Sequence, residues 1–153
     1  MIDYADPIAQ SAEEDCLAVA LLNRAAARIV AQGLIPGDFY RPAHREVFER
    51  IQELVTQHRD VDPLLVAEGL NGSKTFTGAG GLKWLHSLMV LPAYAGNVRE
   101  YVRVVAEQAR AREAKQIARR LLEGDMTVDE AEPLLKRPRA RKGPRTEAKP
   151  WKL

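Results

Sequence analysis

Gly72-Ser73-Lys74-Thr75 carries the residue types that close a phosphate-binding loop, where backbone N–H groups and a lysine cradle a nucleotide. The spacing rejects that chemistry. Such a loop needs Gly-x-x-x-x-Gly-Lys-Ser/Thr, whereas Ser73 stands directly before Lys74, Glu68 stands six before it, and no apolar strand leads in. Three histidines, His44, His58 and His86, could ligate a metal, but they fall fourteen and twenty-eight residues apart in different elements, with no HExxH and no carboxylate at ligand spacing. Cys16 is the lone cysteine, which excludes an internal disulfide and a Cys-based zinc site, predicts a small buried apolar residue, and points to a reducing compartment. No Ser, Cys or Lys stands in a recognisable nucleophile frame. The expectation is therefore a protein that is not an enzyme, with no catalytic residue, no cofactor and no metal.

His44 lies in GDFYRPAHREVFERIQELV, residues 37 to 55, a segment with strong helix signals of its own. Pro42 suits a helix's first turn, where its missing N–H has no intrahelical partner. Val47, Phe48, Ile51, Leu54 and Val55 then repeat at i, i+1, i+4, i+7 and i+8, with charged and polar residues on the other face. Phe39 and Tyr40 are expected to dock the incoming loop on the core. His44, in the first turn of the helix, is expected to bond nearby backbone or an acid such as Asp38, a structural role.

The other elements read as helices too. Ala, Leu, Arg and Glu dominate a chain of 153 residues that is 46% hydrophobic and only 6% aromatic, a balance favouring helices over a sheet. Residues 1–10 read as a flexible arm. Ser11 and Glu14 have the spacing of a capping box that would start a helix, and Asn23-Arg24 marks a bend before a second helix that Gly33 and Pro36-Gly37 stop. Asp62-Pro63 signals another start, residues 71–81 form a polar Gly/Ser/Thr loop, and residues 82–91 form a short helix. Asn97 then caps the longest periodic run, about 98 to 122, whose apolar face collects Val98, Tyr101, Val102, Val105, Ala109, Ile117 and Leu121. At about 37 Å such a helix exceeds what a small globule needs, so this face is expected to meet a partner or a second copy. Thr127 and Glu130 offer one more capping box, but Pro133 allows only a short or broken helix beyond it.

The net charge of +2 hides a division. Residues 136–153 hold eight Lys or Arg and one acid, so residues 1–135 hold fifteen basic and twenty acidic side chains, a net of −5. The basic tail, Lys136, Arg137, Arg139, Arg141, Lys142, Arg145, Lys149 and Lys152, has almost no aliphatic side chains and is expected to be disordered. It is dense enough to contact a phosphate backbone, and equally consistent with a solubilising end; Trp151, able to stack on a base or fill a partner's pocket, favours binding. No run of eighteen apolar residues and no basic segment ahead of an apolar one appears, so no membrane is expected and the cytoplasm is the expected location.

Taken in order, SAEEDCLAVALLN (11–23), DFYRPAHREVFERIQEL (38–54), VDPLLVAEGL (61–70), GAGGLKWLHSL (78–88) and NVREYVRVVAEQARAR (97–112) resemble the N-terminal domain of the bacterial and phage replicative helicase DnaB. The resemblance covers about residues 8 to 125. It rests on the combination of Asp38-Phe39-Tyr40 with His44 and Val47-Phe48, the Gly80-Gly81 pair before Trp84-Leu85, and Asn97 with Tyr101 and Arg112. It implies an all-α fold: a globular helical head, about 11–92, then a helical hairpin, about 97–135, of the kind that pairs into a collar in the family. Phe39, Tyr40, His44 and Phe48 are the structural signature. Family members do no chemistry with this domain, which shapes the helicase ring and in some receives primase or a loader.

Two departures follow from the residues. These 153 residues hold no Walker motif, so unwinding does not carry over. The return arm, 127–136, is short and contains Pro133, which leaves open self-association by the family's route. The expected function is a non-catalytic module of DNA replication, an adaptor, loader-like factor or competitor that binds a replicative helicase, a primase or itself. The alternatives are a DNA-binding accessory protein that uses the tail, or one chain of a split or truncated helicase.

Overall fold

The computed structural model describes residues 6–136. Eight α-helices follow one another there: α1 (Pro7–Leu22), α2 (Arg24–Gly33), α3 (Pro42–Thr56), α4 (Pro63–Gly69), α5 (Lys74–Ala79), α6 (Gly81–Met89), α7 (Val98–Glu123) and α8 (Val128–Lys136), with 3-10 turns at Pro36–Asp38 and Ala95–Asn97. No strand occurs among the described residues, and none of their helices is long and apolar enough to cross a membrane.

The first helix begins at Pro7, ahead of the start that the Ser11 box predicts. Asp6 accepts a hydrogen bond from the Ile8 N–H (2.8 Å), and Pro7 takes the first helical position, so Ser11 falls inside the helix and residues 7–10 belong to it rather than to an arm. Asn23 is the expected bend: its N–H closes α1 on the Val19 carbonyl, and its side chain accepts from the Ala26 N–H to open α2. Asp62 and Pro63 start α4 as read, with Asp62 accepting from the Leu64 N–H.

The expected loop at 71–81 is instead half helix. Ser73 accepts from the Phe76 N–H (3.0 Å) and caps α5, whose short helical turn buries Phe76 against the core, where the ring meets Trp84 edge-on. Asn97 occupies the position before α7 but makes no side-chain cap; the 3-10 turn before it leads the chain into the helix.

α1 lies at the centre of the head. Cys16, Leu17, Ala18, Val19 and Ala20 are all buried, so this segment is covered on every side, and its neighbours are α2, α3, α6 and α7. The small side chains are what let four helices approach it. α3 adds Val47, Phe48, Ile51 and Leu54, each fully buried, and Phe39 packs on Phe48 with ring centroids 4.8 Å apart.

α7 is about 39 Å long and serves two cores. Val98 and Val105 enter the head, Ala109 is buried one turn on, and Tyr101 and Val102 pack on the head's edge. Beyond it, Ile117, with Leu121 beside it, joins Met126, Ala131 and Leu134 in a separate small cluster between α7 and α8. Gly124, at φ 80°, ends α7 in the left-handed conformation, and the Asp125 N–H returns to the Arg120 carbonyl (2.9 Å). The Thr127–Glu130 box then forms reciprocally: the Thr127 N–H donates to Glu130 and the Glu130 N–H donates to Thr127 Oγ1. α8 lasts nine residues with Pro133 inside, the short return arm that the sequence predicts.

Candidate functional site

A buried titratable cluster inside the head gathers on the signature histidine. His44 Nδ1 lies 2.7 Å from Oε1 of Glu13, and the other carboxylate oxygen accepts the Tyr40 N–H at 2.7 Å. The partner expected for His44 was backbone or Asp38; the structure supplies Glu13 from α1, because Asp38 turns its own oxygen to the Ile35 N–H (3.0 Å). The imidazole lies parallel to Trp84 with centroids 5.8 Å apart. His44 is 2% exposed and Glu13 1%. A substrate has no access to either group, so the cluster joins α1, α3, α6 and the 38–41 loop and offers no reacting atom.

That loop is fastened at each residue. Arg45 donates from Nε to the Phe39 carbonyl (3.0 Å) and from Nη2 to the Tyr40 carbonyl (2.8 Å). Arg41 reaches Gln10, and Arg112 of α7 donates to the Asp38 carbonyl (3.0 Å) while its guanidinium lies 5.3 Å from the Tyr40 ring centroid.

Cys16 is buried, and desolvation with the nearby Asp15 and Glu13 carboxylates pushes its thiol well above the usual range, which is the setting of an inert core thiol. No group of three His, Cys, Asp or Glu among the described residues could hold a metal. Lys74 opens α5, His58 lies in the turn after α3 at φ 58°, and His86 lies in the last turn of α6, each on a different element from His44. An open groove between α2, α3 and α4 is lined by mixed charges, with Arg50 at its floor donating to the Leu65 carbonyl and to Glu53.

The apolar face expected to meet a partner is largely filled from within the chain. Val98, Val105 and Ala109 are buried, Tyr101 accepts the Tyr94 N–H on its hydroxyl, Val102 packs on the head, and Ile117 and Leu121 serve the α7–α8 cluster. Because α7 covers both the head and α8, its length by itself does not call for an outside partner. What the hairpin leaves exposed is a different set: Leu122 (88% exposed), Val128 (70%) and Leu135 (49%). Of the basic tail, Lys136 ends α8 and pairs with Glu132 at 3.1 Å; Arg137, Arg139, Arg141, Lys142, Arg145, Lys149, Trp151 and Lys152 lie outside the described residues.

The DnaB-like helicase N-terminal domain family matches residues 5–107, which take in the whole head and the first part of α7. The chain belongs to that family. It is 34% identical over 118 residues, 77% of its length, to the replicative DNA helicase DnaB of Mycobacterium leprae, and 32% identical over 103 residues, 67% of its length, to that of Geobacillus stearothermophilus. Those segments are 18% and 23% of the two relatives, so the chain spans about a fifth of their length. Its fold matches the crystal structure of the N-terminal domain of DnaB helicase from Mycobacterium tuberculosis with a TM-score of 0.70 and 32% identity, covering 80% of this chain and 90% of that one. Phe39, Tyr40, His44 and Phe48 lie within the match, and as a DnaB N-terminal domain the chain uses them to close its head. Sequence reasoning missed Glu13, Met126 and Ala131. Glu13 had a legible signal, since it stands four residues before Leu17 and four after Ala9 on the stripe that α1 buries.

Proposed function

We propose that this chain is a non-catalytic interaction module of DNA replication in the cytoplasm, binding a replicative helicase or a primase as an adaptor, loader-like factor or competitor, and associating with copies of itself. The observation that carries this reading is the hairpin. The head closes a large core of its own, with Ile8, Leu22, Leu64, Val90 and Tyr94 left exposed around it, whereas the α7–α8 cluster has only three buried apolar side chains to hold it and still leaves Leu122, Val128 and Leu135 in solvent. Each such side chain gains about 1.5–3 kcal/mol when fully covered, so a partner surface has a ready gain here. Light scattering of the purified chain, alone and with a cognate helicase or primase, tests it. A mass above the monomer, or a complex with either protein, is expected; a monomer that binds neither at high concentration rejects the reading.

A second reading rests on the eight cations from Lys136 onward: an accessory protein that holds DNA through its tail. If all eight engage single-stranded DNA, log affinity falls with log salt at a slope of about −5 to −6. Removal of residues 136–153 with no loss of DNA affinity rejects it.

A further inference from the structure

Two hydrophobic clusters divide the described chain, one in the head and one in the hairpin, and α7 alone carries the chain between them. From Ala109 to Ile117 no intervening residue is buried, and only Arg112 and Glu113 are half-buried. Arg112 spends its guanidinium on the head: Nη2 donates to the Asp38 carbonyl (3.0 Å), and the group stands 5.3 Å from the Tyr40 ring centroid. Both partners sit on a segment that is itself rigid, since the Tyr40 N–H is held by buried Glu13 and the Phe39 and Tyr40 carbonyls by Arg45.

We infer that Arg112 is a latch that fixes how the hairpin arm stands on the head, and that its release loosens the arm while both clusters stay folded. The physics lies in the exposed segment 110–116. An isolated helical stretch of that length is marginal in water, so its order comes from the cores at its ends and from whatever docks it midway. Arg112 adds an attachment to the head one turn beyond Ala109, and the hairpin's end at Glu123 lies about 17 Å further along the axis. A small change of direction at the latch is therefore carried to the end that bears Leu122 and Val128. The same carboxylate that holds His44 holds the latch's platform, so the signature residues of the head set the attitude of the arm.

Amide hydrogen exchange on the full chain tests this. In R112A, amides in 110–116 are expected to exchange about ten times faster, the loss of one hydrogen bond and one cation–π contact, while amides of α1 and α3 keep their protection. R112K, which keeps a charge and a donor but loses the planar stack, is expected to fall between, and Y40L, which removes the ring with its hydroxyl and leaves the backbone bonds of residue 40, to loosen the same segment. Spin labels at Q57C and E123C, diluted in unlabelled chain, are expected to give a broader head-to-arm distance distribution in R112A; Cys16 is buried and stays unlabelled. Unchanged exchange in 110–116, an unchanged distance distribution, or faster exchange spread equally over α1, α3 and α7, overturns the latch. If R112A does not fold, Y40L and R112K are put through the same exchange and distance measurements, and the same outcomes support or overturn it.

Discussion

Glu13 of α1 and His44 of α3 meet 2.7 Å apart with both side chains buried, and the second oxygen of the carboxylate holds the Tyr40 N–H. Burying a carboxylate is costly unless each oxygen finds a donor, and here each does. Removing one partner leaves the other stranded. Glu13→Ala is expected to lower the unfolding free energy by about 2–6 kcal/mol in urea denaturation, because it strands two buried donors, the His44 ring N–H and the Tyr40 N–H, at about 1–3 kcal/mol each. Glu13→Gln keeps an acceptor for the Tyr40 N–H and should lose less. The double change Glu13→Met with His44→Phe should recover part of the loss and not all, because it still orphans that N–H at about 1–3 kcal/mol. Equal losses for all three variants would mean that the pair contributes only volume.

Gly69, the last residue of α4, sits directly against the Arg50 side chain, so that a Cβ there would overlap Nε and Cζ of the guanidinium group. Arg50 cannot simply swing away, since it is 9% exposed and donates from Nε and Nη2 to the Leu65 carbonyl and from Nη1 to Glu53. Gly69→Ala is expected to cost about 1–3 kcal/mol, the usual penalty of overpacking. In an Arg50→Ala background the clash has no partner, and the same Gly69→Ala should be neutral or slightly favourable, as alanine is in a helix. Additive losses in the double mutant would show that the two positions do not interact.

The α3 side of this head is legible in the sequence and its partners are much less so. Period and polarity along 42–55 name Val47, Phe48, Ile51, Leu54 and Val55 as the core face; the first four are fully buried and Val55 is half-buried at its edge. Asp62-Pro63 reads as a helix start and is one; the same pair at Asp6-Pro7 also starts a helix, which puts Ser11 inside it so that the Ser11–Glu14 box cannot act as a cap. A capping pattern states what could cap; the burial of Ala9 decides which start packs. Residues 71–81 look like a loop by composition because Phe76 is the lone large side chain, and its burial is a tertiary fact that no local window contains. Likewise Glu13, thirty-one residues from His44, becomes its partner only after α1 and α3 have packed. Of the hairpin, the long helix α7 is legible and what its apolar face packs on is not, since α8 consumes Ile117 and Leu121 through residues that the periodicity of α7 cannot reveal.

Asp15, on α1, has its carboxyl group held above the usual range, first by partial burial and second by the neighbouring Glu14 carboxylate. A raised acid is a charge that folding disfavours. The cost is present above the folded-state titration range and disappears once pH falls below the unfolded-state range, where the group is neutral in both states. Asp15→Asn is therefore expected to raise the thermal midpoint modestly near pH 7 and to lose that advantage as the solution is acidified through the carboxylate range. The check is a pair of melting curves, wild type and variant, across that interval. A gain that persists or grows in acid would contradict the sign.

Two apolar residues of the hairpin, Ile117 and Leu122, separate folding from association. Ile117 is buried in the α7–α8 cluster, so Ile117→Ala is expected to cost about 2–4 kcal/mol or to detach α8 outright, and its loss of association would follow from loss of structure. Leu121 flanks that cluster, whereas the next residue, Leu122, is 88% exposed and contributes almost nothing to the folded monomer. Leu122→Glu should therefore leave the melting curve within about 0.5 kcal/mol of wild type, as surface changes do. If the exposed hairpin set is the partner surface, the same variant, or Leu135→Glu, should reduce self-association or helicase binding at least tenfold, because a carboxylate placed in an apolar interface must be desolvated without a partner. Light scattering and titration of the two variants beside wild type read this directly. A Leu122→Glu chain that melts and associates as wild type does would move the partner surface away from the hairpin's exposed face, and the basic residues from Lys136 onward would then be the next place to look.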